Sequence, residues 1–329
     1  MNRIFLWAAA LGAACAGLST PMAFGHGFSG QRFFPATLVT DDPFVADELS
    51  LPTVSTFNNA ASGDGPPTRE TDVSIDIAKR ITTDFGIEIG RSWRYLKPEG
   101  SAQTNGPTNF EGSVKYLLLN NPDHEFLLSA GIGYEWGGSG LSRVNSDRFN
   151  TFTPGVFAGK GYGDLPDSAK WLKPLAITGT FGVGIPSRSK SATFDTDPDT
   201  GLVTPGEERH SNTLNYGAAI EYSLIYLQSY VEDVGLAAPF DRLIPLVEVN
   251  LQTPINRDTG TGGNQTTGTI NPGVIWAGTY FQIGVEAMIP VNNQSGRGVG
   301  GIAQVHFFLD DLFPNSLGKP LFNTKLFGD

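Results

Sequence analysis

The stretch YFQIGVEAMIPV, residues 280–291, decides the fold. Phe281, Ile283, Val285, Ala287 and Ile289 share one side of an alternating pattern, and Gln282, Gly284, Glu286 and Met288 share the other. A period of two means an extended strand whose faces meet different surroundings. The apolar side could form the core of a soluble sandwich, or it could face lipid.

The same alternation recurs along the chain. It appears in DVSIDIAK (72–79), DFGIEIG (84–90), EFLLSAGIGYEW (125–136), PLAITGTFGVGIP (174–186), LNYGAAIEYSLIY (214–226) and PLVEVNLQT (245–253). No helical period of useful length follows residue 25. The connections separate the two alternatives. Residues 81–83, 120–124 and 278–279 are tight, whereas 96–109, 137–150, 186–212 and 255–268 are long, polar and rich in Gly, Asn, Thr and Pro. Links of intermediate length fall at 163–172 and 229–241. A sandwich accounts for the alternation but not for this rhythm. Short turns at one end, long loops at the other and strands of about ten residues describe a transmembrane barrel. The expected fold is therefore all-β, an up-and-down antiparallel transmembrane β-barrel of about twelve strands. LSLPTVSTF (49–57) supplies the first strand, and Pro52 restricts it to an edge or a bulge. On this reading Phe281, Ile283, Val285 and Ile289 face lipid, while Gln282 and Glu286 face a polar lumen.

Composition agrees with a barrel. The mean hydropathy is −0.12, which an alternating barrel allows because lipid-facing residues are diluted by polar ones. Lys79 and Arg91 fall in the outward phase but near strand ends, where long side chains reach the interface. Tyr134, Trp136, Tyr216, Tyr226 and Trp276 sit where girdle aromatics would. The start of the chain reads as a secretory signal over 1–25: a basic Asn2-Arg3, an apolar Ile4–Leu18 and a small-x-small site at Ala23-Phe24-Gly25. The only cysteine, Cys15, lies inside it, so no disulfide is expected. Loss of Arg3 takes the net charge from −11 to −12, a poor balance for nucleic-acid binding. The organisation expected is a signal (1–25), an N-terminal periplasmic or plug segment (26–48), the barrel (49–309) and a tail (310–329).

From Phe152 to Phe313 the chain resembles the bacterial outer-membrane family named for the meta-pathway of phenol degradation. The resembling stretches are GKGYGDLPDSAKWLKPLAITGTFGVGIPSRS (159–189) and INPGVIWAGTYFQIGVEAMIPVNNQ (270–294). The resemblance implies an outer-membrane channel or transporter barrel passing small molecules, hydrophobic or aromatic ones among them. Residues 26–55 have no counterpart in it. The usual assembly signal ends a barrel on an aromatic. Here His306-Phe307-Phe308-Leu309 is followed by a tail to Asp329, so insertion by the barrel-assembly machinery would run through an internal strand. Membrane lipids and a small permeant are the other expected partners.

Inward-phase charges form the candidate site: Asp76, Glu88, Glu135, Glu221, Glu248 and Glu286, against Arg80, Arg94 and Lys115. Surplus carboxylates in a pore concentrate cations. Alternatively they pair with lumen bases and fill a narrow barrel. His26 heads the processed chain and has one nitrogen pair for copper, but no second histidine adjoins it. Asp195, Asp197 and Asp199 in the longest loop have alternate-residue spacing suited to calcium, yet Thr200 stands where the loop needs glycine. A solvated acidic loop is the preferred account of them. No nucleophile–base pairing or G-x-S-x-G elbow is present, so neither catalytic residues nor cofactors are expected. A non-conducting barrel and a soluble exported sandwich are the remaining alternatives.

Overall fold

The computed structural model describes residues 27–61, 65–196, 200–256 and 265–327. Its body is a closed ring of twelve antiparallel strands. They are β1 (Glu48–Asn59), β2 (Thr68–Arg80), β3 (Phe85–Pro98), β4 (Phe110–Asn121), β5 (Phe126–Trp136) and β6 (Thr151–Gly161), followed by β7 (Leu175–Pro186), β8 (Thr213–Tyr222), β9 (Leu243–Pro254), β10 (Thr267–Ala277), β11 (Phe281–Pro290) and β12 (Gly300–Phe308). Each strand pairs with its sequence neighbours, and β12 pairs with β1 to close the ring. Closure leaves no unpaired edge, which hydrocarbon requires.

The opening stretch behaves as its alternation predicts. Val285 is 47% exposed on the outside of β11, whereas Gln282 is fully buried inside. Pro52 sits where the β1 register slips against β2, between Ser50 and Thr53. A bulge is where a residue without an N–H fits. Arg91, in the outward phase of β3, has its guanidinium bound to the Thr108 and Ser139 carbonyls at 2.9 and 2.7 Å, over the Phe110 ring. The longest loop carries its own hairpin, Lys190–Thr196 with Val203–Arg209.

Two expectations are corrected. Strand β8 ends at Tyr222 and does not run on to Tyr226. Ser223 Oγ accepts from the Tyr226 N–H at 3.1 Å and caps a helical segment over 224–231. A local side-chain cap gives the backbone an alternative to the ladder. Tyr226 thus turns inward and is no girdle residue. The second correction concerns the interior, which is not polar throughout. Residues 27–47 touch the inward faces of β4, β5, β7, β9, β10 and β11, and so lie inside the ring at the end with the tight turns. Phe34, Ala36, Phe44 and Ala46 pack with Leu127 of β5 and Ala176 of β7. Leu38 packs with Ile244 and Leu246 of β9 and Ile275 and Ala277 of β10. Gln282 therefore meets protein, not lumen water: its amide donates to the Ala36 carbonyl.

The segment begins with a small hairpin, Phe28–Ser29 on Arg32–Phe33, turned at Gly30 with φ +60°. A Cβ there would lie 2.3 Å from the Pro122 carbonyl oxygen. Gly30→Val should therefore unseat this hairpin. Protease cleavage near residue 30 in folded, detergent-extracted protein is the readout, and a hairpin that stays protected would contradict this packing.

Candidate functional site

Three tie points hold the inner segment. The first is Arg32, fully buried. Its Nε meets Glu125 Oε2 at 3.1 Å, Nη1 donates to Pro174 O at 3.0 Å, Nη2 donates to Lys173 O, and its guanidinium stacks 3.8 Å from the Tyr226 ring centroid. Glu125 also accepts from Tyr226 Oη at 2.9 Å and Gly163 N at 2.9 Å. A planar cation with five donors suits a site of one carboxylate and two carbonyls.

The second tie point is the apex of the segment. The Glu248 carboxylate, fully buried on β9, accepts three consecutive backbone N–H groups: Leu38 at 2.7 Å, Val39 at 3.1 Å and Thr40 at 2.6 Å. Asn250, two residues along the same inward face, donates to the Val39 carbonyl at 3.0 Å. The turn folds back through Asp42, which accepts from Thr37 N and Oγ1 at 3.1 and 2.9 Å. Burial, then the nearby Glu48 charge, pushes the Asp42 carboxyl well above the usual carboxylate range. Lys115 Nζ donates to the Asp42 carbonyl at 2.7 Å. The third tie point is Asp47, buried at the start of β1, which binds Lys79 Nζ and, at 2.7 Å, Arg80 Nε.

Above the apex lies a cavity of about 360 Å³. Asp41 of the segment forms part of its lining, and Asp76, Glu88, Glu111, Lys115 and Glu135 project from the strands around it. The nine charges singled out by phase thus separate. Asp76, Glu88, Glu135 and Lys115 meet at this cavity. Glu221, Glu248 and Glu286 are buried lower in the wall. Arg94 is engaged with Asp72 at 2.7 Å and Glu70 at 3.1 Å, and Arg80 with Asp47. Glu111 was missed although it stands four residues before Lys115 in the same inward phase. Arg32, Asp41 and Asp47 carry no period-two signal, because they lie in the inner segment, whereas Glu125 heads the polar side of the 125–136 alternation and was not singled out as a site residue. Asp195 sits in the outer hairpin opposite Thr204. His26, Asp197, Asp199 and residues 1–25 fall outside the described residues. Among the described residues no cluster of three or more His, Cys, Asp or Glu side chains is arranged to hold a metal.

The ring defines the class: this is a twelve-stranded β-barrel of the outer-membrane type. One comparison with a solved structure agrees on the fold. A crystallographically determined outer-membrane channel from Pseudomonas putida F1 superposes with a TM-score of 0.52 at 10% identity, over 84% of this chain and 99% of that one. A NanC porin aligns with a TM-score of 0.44 at 9% identity, over 78% of this chain and 98% of its own. The KdgM porin aligns at 0.39 and 13% identity, over the same shares. No family model and no curated protein matches the sequence.

Proposed function

We propose that the protein is an outer-membrane channel or transporter barrel for small molecules, closed towards the periplasm by residues 27–47 and favouring cations in its outer vestibule. One observation carries this reading: the cavity above the segment is lined by Asp41, Asp76, Glu88, Glu111 and Glu135 against Lys115. An excess of one sign in a low-dielectric mouth raises the local concentration of the opposite charge. The family resemblance points to hydrophobic or aromatic permeants. Phe157, under the Lys115 ammonium at 4.6 Å, gives the vestibule one aromatic face. An aromatic molecule bearing positive charge fits that lining better than a purely apolar one. Export on a cleaved signal and insertion by the barrel-assembly machinery through residues 300–308 belong to the same reading.

The test is conductance of the reconstituted protein across a KCl gradient. Reversal potentials should show cation preference, and the double variant Glu88→Gln/Glu111→Gln should bring the permeability ratio close to unity. Anion preference in the unmodified protein would sink the vestibule argument. Absence of any conductance, even after the inner segment has been released, would leave a structural barrel instead.

A further inference from the structure

Two of the segments that leave the ring at the tight-turn end lean outwards against the wall. The tail runs along the β2–β3 turn: Leu321 N donates to Arg80 O at 3.2 Å, Phe322 N to Ile81 O at 2.8 Å, and Thr83 N to Thr324 O at 3.1 Å. Phe327 then packs edge-on against Tyr116, ring centroids 5.2 Å apart. Tyr116 shares the outward phase of β4 with the exposed Val114 and Leu118, so the tail ends on the lipid-facing side. The β6–β7 connection does the same elsewhere on the ring. Tyr222, in the outward phase of β8, donates its hydroxyl to Trp171 O at 3.1 Å. Leu165 and Leu172 close a groove of about 310 Å³ with Tyr162, Leu175, Ile177 and Ile220. Its strand residues belong to the belt that meets lipid. Phe322 is 62% exposed and Leu172 51% exposed. The tail carries the bases Lys319 and Lys325, whereas Lys170, 5.0 Å from the Trp171 ring, is paired with Glu232, and the 163–172 stretch also holds Asp164 and Asp167.

From this geometry we infer that residues 163–172 and 319–327 form a collar seated in the headgroup–acyl boundary of the periplasmic leaflet, with a phospholipid acyl chain in the Leu165–Leu172 groove. Amphipathic segments with aromatic and aliphatic side chains beside lysines settle at that depth. Both segments continue the lipid-facing belt with Trp171, Leu172, Leu321, Phe322 and Phe327 exposed beside it, so the occupant is lipid and not a soluble partner. The inference rests on the barrel's orientation and is independent of conduction.

The test uses full-length protein in phosphatidylethanolamine–phosphatidylglycerol vesicles. Spin labels are placed at Leu172→Cys or Phe322→Cys on a Cys15→Ala background, with Thr204→Cys in the outer hairpin as the water control. Heat-modifiable gel migration confirms the folded barrel in each. At 172 and 322, oxygen should relax the label more than a water-soluble nickel complex does, with the order reversed at 204. Nickel dominance at either 172 or 322 overturns the collar. Gly318→Val controls for the label seeking lipid by itself. A Cβ at Gly318 would lie 2.2 Å from Asp310 Cα, so the substitution forces the tail from its seat. Oxygen preference should then vanish at 322 and persist at 172. If it persists at 322, the seating of the tail is refuted.

Discussion

Glu248→Ala should free the apex of the inner segment and raise conductance. Three consecutive amides end on this one carboxylate. Hydrogen bonds to a charged group contribute about 1.5–3 kcal/mol each, and buried N–H groups left without an acceptor are costly. The contributions are not additive, because Asn250 and Gln282 still hold the Val39 and Ala36 carbonyls. A net loss of about 3 kcal/mol is nonetheless expected, which shifts the seated-to-released ratio roughly a hundredfold. Glu248→Gln keeps the volume and one acceptor and should fall between wild type and alanine. Hydrogen exchange at residues 38–40 reports release directly, and single-channel recording reports its consequence. Unchanged exchange in the alanine variant would show that the apex is held by packing alone. Faster exchange without conductance would show that release does not open the bore.

Arg32→Ala should have the largest effect on stability. The substitution leaves the Glu125 carboxylate buried without its cation and removes the donors to the Lys173 and Pro174 carbonyls. Breaking a buried pair from one side typically costs about 3–5 kcal/mol. Lysine should not rescue it, since a single ammonium cannot reach three acceptors in one plane while stacking on Tyr226. The measurement is the urea midpoint of the heat-modifiable form in detergent. A midpoint equal to wild type would mean that Glu125 finds enough compensation from Tyr226 and Gly163. The two variants should be separable: Glu248→Ala is expected to act on release of the apex and conductance, and Arg32→Ala on docking of the hairpin at its base.

Alternation made the ring legible, strand by strand, because one face had to be apolar and the other did not. Pro52 announced its bulge for the same elementary reason, a missing donor. The filled interior was harder to read, yet it left a trace. At the tight-turn end the alternation lapses into apolar runs: Phe126-Leu127-Leu128, Leu175-Ala176-Ile177, Leu243-Ile244-Pro245-Leu246-Val247 and Val274-Ile275-Trp276-Ala277. Strands apolar on both faces are buried on both faces. Towards the long loops the same strands become polar inside, as in Glu248-Val249-Asn250-Leu251-Gln252. The height at which the period breaks marks how far residues 27–47 reach. Which carboxylates would gather around the cavity was not legible, since phase says inward but not how high. Arg32 was invisible for another reason: its partners come from residues 125, 173, 174 and 226, far apart in sequence.

The packing of Phe34, Leu38 and Phe44 against the inner wall has a thermodynamic consequence. Lipid-facing side chains are apolar in an apolar solvent and gain little from one another. The inner cluster displaces water, so it is driven by the same hydration effect that folds a soluble domain. The molecule therefore has two solvents, oil outside and water within, and its cohesion should divide accordingly. Melting of the inner segment should carry a positive heat-capacity change that an empty ring of strands would lack. Cold should loosen the inner packing before it touches the wall.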